Sequence, residues 1–272
     1  MSSYVVAGAS RGIGFEFLRQ LSADPANVVI GLVRDKAGSE KKVAAEIGRS
    51  NIHIVTGDFD SYESLKKAAE ETSKITGGKL DYLIANGAFL SYWSGTKTFG
   101  MMAETPEQLE EHMLNSFKTN VVGIVHLYNL FLPLIKKGNA KKVIAISSGH
   151  ADIDLVTEYD LDVSPPYAIS KIGLNLAVAK FSAEYKSEGI LFMSISPGVV
   201  DTSQQDMSQL PEADKKQFEK TIGIFMKYAP HFKGPISPEE SVRMVTDVIN
   251  KASVERGDGG SFVSHLGTKQ WI

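Results

Sequence analysis

The residues best suited to chemistry form the run Tyr167-Ala168-Ile169-Ser170-Lys171. Positions four apart share one helical face, so the phenol and the ammonium become neighbours. A free phenol titrates near ~10 and is a poor acid–base group at neutral pH. A cation beside it stabilises the phenolate and lowers that value. A phenol tuned in this way can pass a proton to or from a reacting oxygen. Tyr-x-x-x-Lys arises by chance in many helices. Here it gains weight from its place, after a short apolar strand and before a long apolar helix. That strand ends in the pair Ser147-Ser148. Carboxyl ends of strands are where open α/β sheets bind ligands.

A second group lies near the start of the chain. An apolar strand runs into Gly8-Ala9-Ser10-Arg11-Gly12-Ile13-Gly14, and a helical pattern follows. Glycines let the backbone turn sharply and approach a pyrophosphate without Cβ interference. The helix N-terminus then offers free N–H groups and the positive end of its dipole. The next strand ends in Gly31-Leu32-Val33-Arg34-Asp35. A carboxylate at that strand end would bind a ribose 2′-hydroxyl and repel a 2′-phosphate. Arg34 and Arg11 together offer two guanidinium groups suited to bidentate binding of such a phosphate. Asp35 would meet the ribose instead if the register were two residues off.

These groups need a frame that brings both ends of the chain to one edge. Residues 4–7, 28–33, 52–56, 80–85, 143–147 and 190–196 read as strands, short and rich in Val and Ile. They mostly lack period-2 alternation, as expected of parallel strands buried on both faces. The stretches 14–21, 61–76, 106–136 and 167–187 read as crossover helices. The alternation predicts an α/β fold, a single doubly wound Rossmann-type domain over residues 1–272 with helices flanking a parallel sheet. Thr105-Pro106-Glu107-Gln108 and Ser237-Pro238-Glu239-Glu240 read as capped helix starts.

The spacing G-x-x-x-G-x-G, taken with Tyr167-x-x-x-Lys171 after paired serines, resembles the short-chain dehydrogenase/reductase family. The chain as a whole resembles the NADPH-dependent carbonyl and keto-reductases within it. The resemblance spans Gly8 to Thr202, about three quarters of the chain. It implies that Gly8, Ser10, Arg11, Gly12, Ile13 and Gly14 hold the cofactor pyrophosphate. It puts Val33 where NAD enzymes carry an acid, with Arg34 next to it, and so implies NADP(H). It implies adenine contact from Asp58 and Phe59, and adenosine-ribose contact from Asn86 and Gly87. It assigns Ser148 to the substrate carbonyl oxygen, with Ser147 as the fallback, and Tyr167 to proton transfer. Lys171 would also hold the nicotinamide ribose. Asn120, in Asn120-Val121-Val122-Gly123, would hold a water that links Lys171 to solvent. Pro197, Gly198, Val200 and Thr202 would orient the nicotinamide carboxamide. Family members are often dimers or tetramers built on the fourth and fifth crossover helices, so a homodimer or homotetramer is implied.

The chain departs from the family pattern in two places. Ala85-Asn86-Gly87-Ala88 replaces the usual Asn-Asn-Ala-Gly. Ser148 and Tyr167 stand nineteen positions apart, where about thirteen is common. The extra acidic stretch 151–164 is expected to form a loop beside the pocket. His150 is a tempting base, but the Tyr–Lys pair already supplies proton transfer. Residues 203–236, with Met207, Leu210, Phe218, Ile222, Phe225, Met226 and Tyr228 among polar ones, are expected to form a substrate lid.

The bulk composition narrows the classes further. The 272 residues carry 29 basic and 32 acidic side chains, a net charge of −3. That balance gives no field favouring nucleic acid or an anionic membrane. With no cysteine, disulfides, thiol nucleophiles and cysteine-ligated metals are excluded, and no metal site is expected. No apolar run approaches the roughly 18 residues of a membrane span. The first ten residues do not read as a signal peptide. A cytoplasmic protein acting on a small carbonyl or alcohol substrate is expected. A nucleotide-binding sensor, or a non-redox biosynthetic enzyme, on the same fold is the alternative.

Overall fold

The structure is a computed structural model that describes residues 1–202 and 211–272. Its strands are β1 (Ser3–Ala7), β2 (Val28–Val33), β3 (Ile52–Thr56), β4 (Tyr82–Ala85), β5 (Lys142–Ile146), β6 (Leu191–Ser196) and β7 (Phe262–Ser264). They form one sheet in the order β3-β2-β1-β4-β5-β6-β7, with every pairing parallel. The order reverses direction between β1 and β4, so a crevice opens at the carboxyl ends there. This is the doubly wound Rossmann-like sheet expected from the sequence.

The helices are α1 (Gly12–Leu21), α2 (Lys36–Glu46), α3 (Tyr62–Thr76), α4 (Phe99–Met102), α5 (Pro106–Phe117), α6 (Gly123–Ile135), α7 (Ile153–Tyr159), α8 (Pro165–Tyr185), α9 (Glu212–Tyr228) and α10 (Pro238–Lys251). Each sheet face carries its own core. On one face Val5, Ile30, Leu83 and Val143 meet Leu65 of α3, Leu127 and Phe131 of α6, and Leu174 of α8. On the other, Val6, Val29, Ile144 and Ile195 meet Phe17 and Leu18 of α1 and Val242 and Val245 of α10. Alternate residues of one strand go to opposite faces, and both faces are apolar. This is why the strands lack polar alternation.

Several sequence expectations need correction. The stretch 106–136 is not one helix. Between α5 and α6, Lys118–Val122 widens into a π-helical turn, where the Gly123 N–H reaches back to the Lys118 carbonyl. Asn120 sits in that turn and spends its side chain on neighbouring elements, which accounts for the local distortion. Thr105 stands at the start of α5, but its Oγ1 donates to the Met102 carbonyl instead of capping the helix. Ser237 does cap α10, accepting from the Glu240 N–H. The last crossover helix starts at Pro165, two residues before Tyr167, because two prolines occupy its first turn. The acidic stretch 151–164 is not simply a loop. Asp152 caps α7 by accepting from the Leu155 N–H, and Asp160 closes it in the left-handed conformation. The short strand β7 had no sequence signal beyond three residues.

A third apolar cluster stands apart from the sheet. It joins Leu155, Leu161 and Val163 to Ile224 and Phe225 of α9 and to Trp271. The ends of the expected lid are joined by a parallel bridge between Val200 and Ile236. Met207 and Leu210, assigned to that lid, lie outside the described residues.

Candidate active site

At the cofactor end, Gly8 and Gly12 both have positive φ, 83° and 53°, which only glycine adopts at little cost. The turn is anchored from three sides. The N–H groups of Gly8 and Ala9 donate to the Leu32 carbonyl of β2. Those of Asn86 and Gly87 donate to the Ala7 carbonyl. The Asn86 Nδ2 donates to the Gly8 carbonyl at 2.9 Å. A Cβ on Gly8 would run into the Gly87 backbone, and one on Gly14 into the Gly8 carbonyl. Chain-on-chain packing by itself therefore requires these glycines. The side-chain amide of Asn86 is committed to the turn, which leaves backbone for any ribose contact.

The residues fit a dinucleotide phosphate. The start of α1 has no side-chain cap and no acid in its first turn, so its positive end is open to an anion. Arg11 and Arg34 are exposed, and neither forms a salt bridge among the described residues. Ser10 is exposed beside Arg11, while Ile13 packs against the core. Asp35 does not compete with the guanidinium groups. Its carboxylate caps α2, accepting from the Gly38 N–H at 3.0 Å. Asp58 Oδ1 accepts from the Asp60 N–H, which fixes the turn after β3. The Phe59 ring lies against Gly87, and its backbone against Gly123. Its side chain therefore serves packing, and the backbone is what remains for an adenine.

The residues expected to be catalytic gather at the end of β5 and the start of α8. The Lys171 side chain is 2% exposed, and its Nζ donates to the Ile146 carbonyl at 2.9 Å. It lies 5.6 Å from the centre of the Tyr167 ring. Loss of water pulls the Lys171 pKa down to about 7. Burial pushes the Tyr167 phenol up to about 12, opposed by a hydrogen bond with the Ser148 hydroxyl. The sequence reading had the ammonium lowering the phenol. In the protein by itself desolvation sets the direction, and the opposing influence is the Ser148 hydroxyl, not the lysine. The two serines separate cleanly. Ser147 is 2% exposed, and its hydroxyl has no hydrogen-bond partner among the described residues. Ser148 is the one that meets Tyr167, and its Oγ also accepts from the His150 N–H.

Asn120 is fully buried. Its Oδ1 accepts from the Phe89 N–H at 2.7 Å, and its Nδ2 donates to the Phe89 carbonyl and the Ser170 hydroxyl, both at 2.9 Å. The side chain thus clamps the segment after β4 to α8. Any water it governs would have to meet its backbone or the second lone pair of Oδ1. Ser170 donates in turn to the Tyr167 carbonyl at 2.7 Å. Ser170 was missed as a site residue, although it stands inside the Tyr-x-x-x-Lys run.

The turn after β6 is held from behind. The Pro197 carbonyl accepts from the Ser241 hydroxyl at 2.7 Å. Gly198 has φ of +87°, and a Cβ there would meet the His265 ring at 2.9 Å. Neither Ser241 nor His265 carried a sequence signal, since both arrive from the far end of the chain. Val200 bridges Ile236, and Thr202 is the last described residue before residue 211. Tyr92 and Phe99 are about half exposed, at 54% and 51%. Trp93 stacks on His112 at 4.7 Å.

Comparison with known proteins agrees with this geometry. The short chain dehydrogenase family model matches residues 3–213. The short chain dehydrogenase virK of Hypocrea virens is 53% identical, with all of each chain aligned. The short-chain dehydrogenase/reductase iacC of Pestalotiopsis fici is 51% identical, again over the whole of both. Among solved structures, the NADPH-bound carbonyl reductase from chicken fatty liver superposes with a TM-score of 0.73, covering 98% of each chain at 24% identity. That last likeness speaks to the fold. The family match runs through the sheet and both ends of its crevice, and full-length relatives share half the sequence, so this chain belongs to the short chain dehydrogenase family.

Proposed function

We propose that this oxidoreductase uses NADPH to reduce a ketone or aldehyde to an alcohol, with the reverse reaction open to the same residues. The observation that carries the reading is the Ser148–Tyr167–Lys171 group at the sheet edge. When bound, the cofactor supplies a hydride equivalent to the carbonyl carbon. The chain's residues do the rest. The Ser148 and Tyr167 hydroxyls together receive the carbonyl oxygen. Tyr167, held protonated by burial, gives its proton to that oxygen as negative charge develops, since an alkoxide is a stronger base than a phenolate. Lys171 stands close enough to stabilise the phenolate left behind. Asn120 keeps the floor of the site in register through Phe89 and Ser170. Arg34 and Arg11, free of salt bridges among the described residues, support NADP(H) over NAD(H).

We further read the whole chain as one domain with residues 203–236 as its lid, acting on a small molecule. The exposed apolar side chains Leu114 and Phe117 of α5 and Ile169 and Leu176 of α8 support a homodimer or homotetramer. Among the described residues no helix is long and apolar enough to cross a membrane. The test is NADPH oxidation over a panel of ketones and aldehydes. Turnover is expected with NADPH. Tyr167→Phe should lose roughly 10²- to 10⁴-fold in kcat while still binding NADPH. A Tyr167→Phe protein with normal turnover overturns the reading.

A further inference from the structure

Ser148 and Tyr167 can serve one oxygen atom only if the strand end carrying the serine keeps a fixed place beside the start of α8. The sheet holds that strand end as far as Ser147, whose N–H donates to the Ile195 carbonyl at 2.8 Å. The next backbone bonds close within a short turn. The Ala151 N–H donates to the Ser148 carbonyl at 2.9 Å, and the Asp152 N–H to the Gly149 carbonyl at 3.0 Å. These bonds set the shape of the turn. Its place against the rest of the molecule has to come from packing.

Trp271 supplies such packing. A Cβ added at Gly149 would stand 3.0 Å from the Cβ of Trp271 and 3.3 Å from its Cγ. The tryptophan therefore lies directly on the glycine that follows Ser148. It is itself firmly seated. After β7 the chain folds back, with the Gly267 N–H donating to the Ser264 carbonyl at 2.9 Å and the Ser264 N–H to the Thr268 carbonyl at 2.7 Å. The indole then stacks on Phe262 of β7, with ring centres 4.4 Å apart and planes 21° from parallel. The Trp271 N–H donates to the Tyr228 hydroxyl of α9 at 3.0 Å, and that hydroxyl donates to the Lys269 carbonyl at 3.1 Å. Leu155 of α7 belongs to the same apolar cluster, in which Trp271 is 3% exposed.

We propose that Trp271 is a positioning residue for this reaction: seated on Phe262 and lying on Gly149, it fixes where the turn after β5 leaves the sheet, and so sets the distance between the Ser148 and Tyr167 hydroxyls. It acts through Gly149 and takes no part in proton transfer. The inference rests on the carbonyl-reducing reading of the site.

Two variants separate this role from a merely structural one. Trp271→Phe keeps Cβ, Cγ and a ring able to stack on Phe262. Trp271→Ala removes Cγ and the ring. Losing a buried ring also lowers stability, so working sites are counted by NADPH binding, and kcat is taken per site at a temperature below the melt. Trp271→Ala should lower kcat per site roughly tenfold to a hundredfold, as misplacement of reacting groups does, with the NADPH Kd and substrate KM little changed. Trp271→Phe should recover most of that loss. Should Trp271→Ala not fold, Phe262→Leu takes its place, because it removes the ring on which Trp271 is seated, and the same loss is expected. Wild-type kcat per site in the Ala variant overturns the proposal, whatever its melting temperature, and so does equal impairment of the Phe and Ala variants. Tyr167→Phe is measured alongside. If it turns over normally, the reading of the site has failed. If it is inactive and Trp271→Ala is not impaired, only the role of Trp271 has failed.

Discussion

His150 and Lys171 are weak bases for one reason: each loses water on burial and gains no carboxylate neighbour among the described residues. The consequence for stability can be worked out at His150, whose pKa falls from 6.5 to about 4. Between those values the unfolded chain holds a proton that the folded ring does not. Stability therefore rises with pH through the window and is lost as pH falls from 6.5 toward 4. The lowered pKa of His265, also set first by burial, adds in the same direction. The full effect of His150 is on the order of 3 kcal/mol. Urea midpoints at pH 7 and pH 5 should differ in the wild type, and His150→Phe should shrink that difference. Arg34 permits a second test. Removing one charge-assisted partner of a 2′-phosphate costs about 1.5–3 kcal/mol. Arg34→Ala should thus weaken NADPH binding about tenfold or more and leave NADH binding unchanged. Equal weakening of both would show that Arg34 does not read the 2′-phosphate.

At the level of elements, the glycine turn and the region around α9 are built differently. In the turn, backbone lies directly on backbone. A methyl at position 14 would meet the Gly8 carbonyl and the Asn86 side-chain nitrogen, which are hydrogen-bonded to each other. Gly14→Ala should cost about 1–3 kcal/mol or more and lower the thermal midpoint, apart from any loss of cofactor affinity. A melt within a degree of wild type would mean that the turn relaxes freely. α9 is attached by side chains instead. Lys97 pairs with the buried Asp214 at 3.4 Å, while Lys220 and Gln217 both reach Asp162. Asp162 belongs to the acidic stretch that lengthens the Ser148–Tyr167 interval. The extra residues thus act as an anchor for α9, through charge at Asp162 and through apolar contact at Leu155 and Val163. Asp154, Glu158 and Asp160 of the same stretch are exposed and make no salt bridge among the described residues, as solvated charges do.

Over the whole molecule, apolar side chains stand exposed on α5 and α8, Leu114 at 61% and Leu176 at 62%, with Glu110 and Glu111 exposed on the same α5. Single exposed leucines are ordinary, but several on two packed helices are what the proposed oligomer would cover. Sedimentation should find a dimer or tetramer, and Leu176→Glu should shift it toward monomer; a wild-type monomer at micromolar concentration would refute the interface. What the sequence determined by itself was local and periodic. Apolar strands without alternation require a sheet covered on both faces, so the doubly wound fold was legible. Glycine spacing before a helix and Tyr-x-x-x-Lys on one face were legible too, because neighbours in sequence stay neighbours in a turn or a helix. Helix continuity through residue 120 was misread because the π-helical turn answers to Phe89, a distant partner. The role of the 151–164 stretch was misread because its apolar residues find their core only in α9 and Trp271. Only the tertiary structure decided which serine meets Tyr167, where Asp35 spends its carboxylate, and that desolvation governs the phenol. Each of these depends on what lies beside a side chain in space, and on how much water it leaves there.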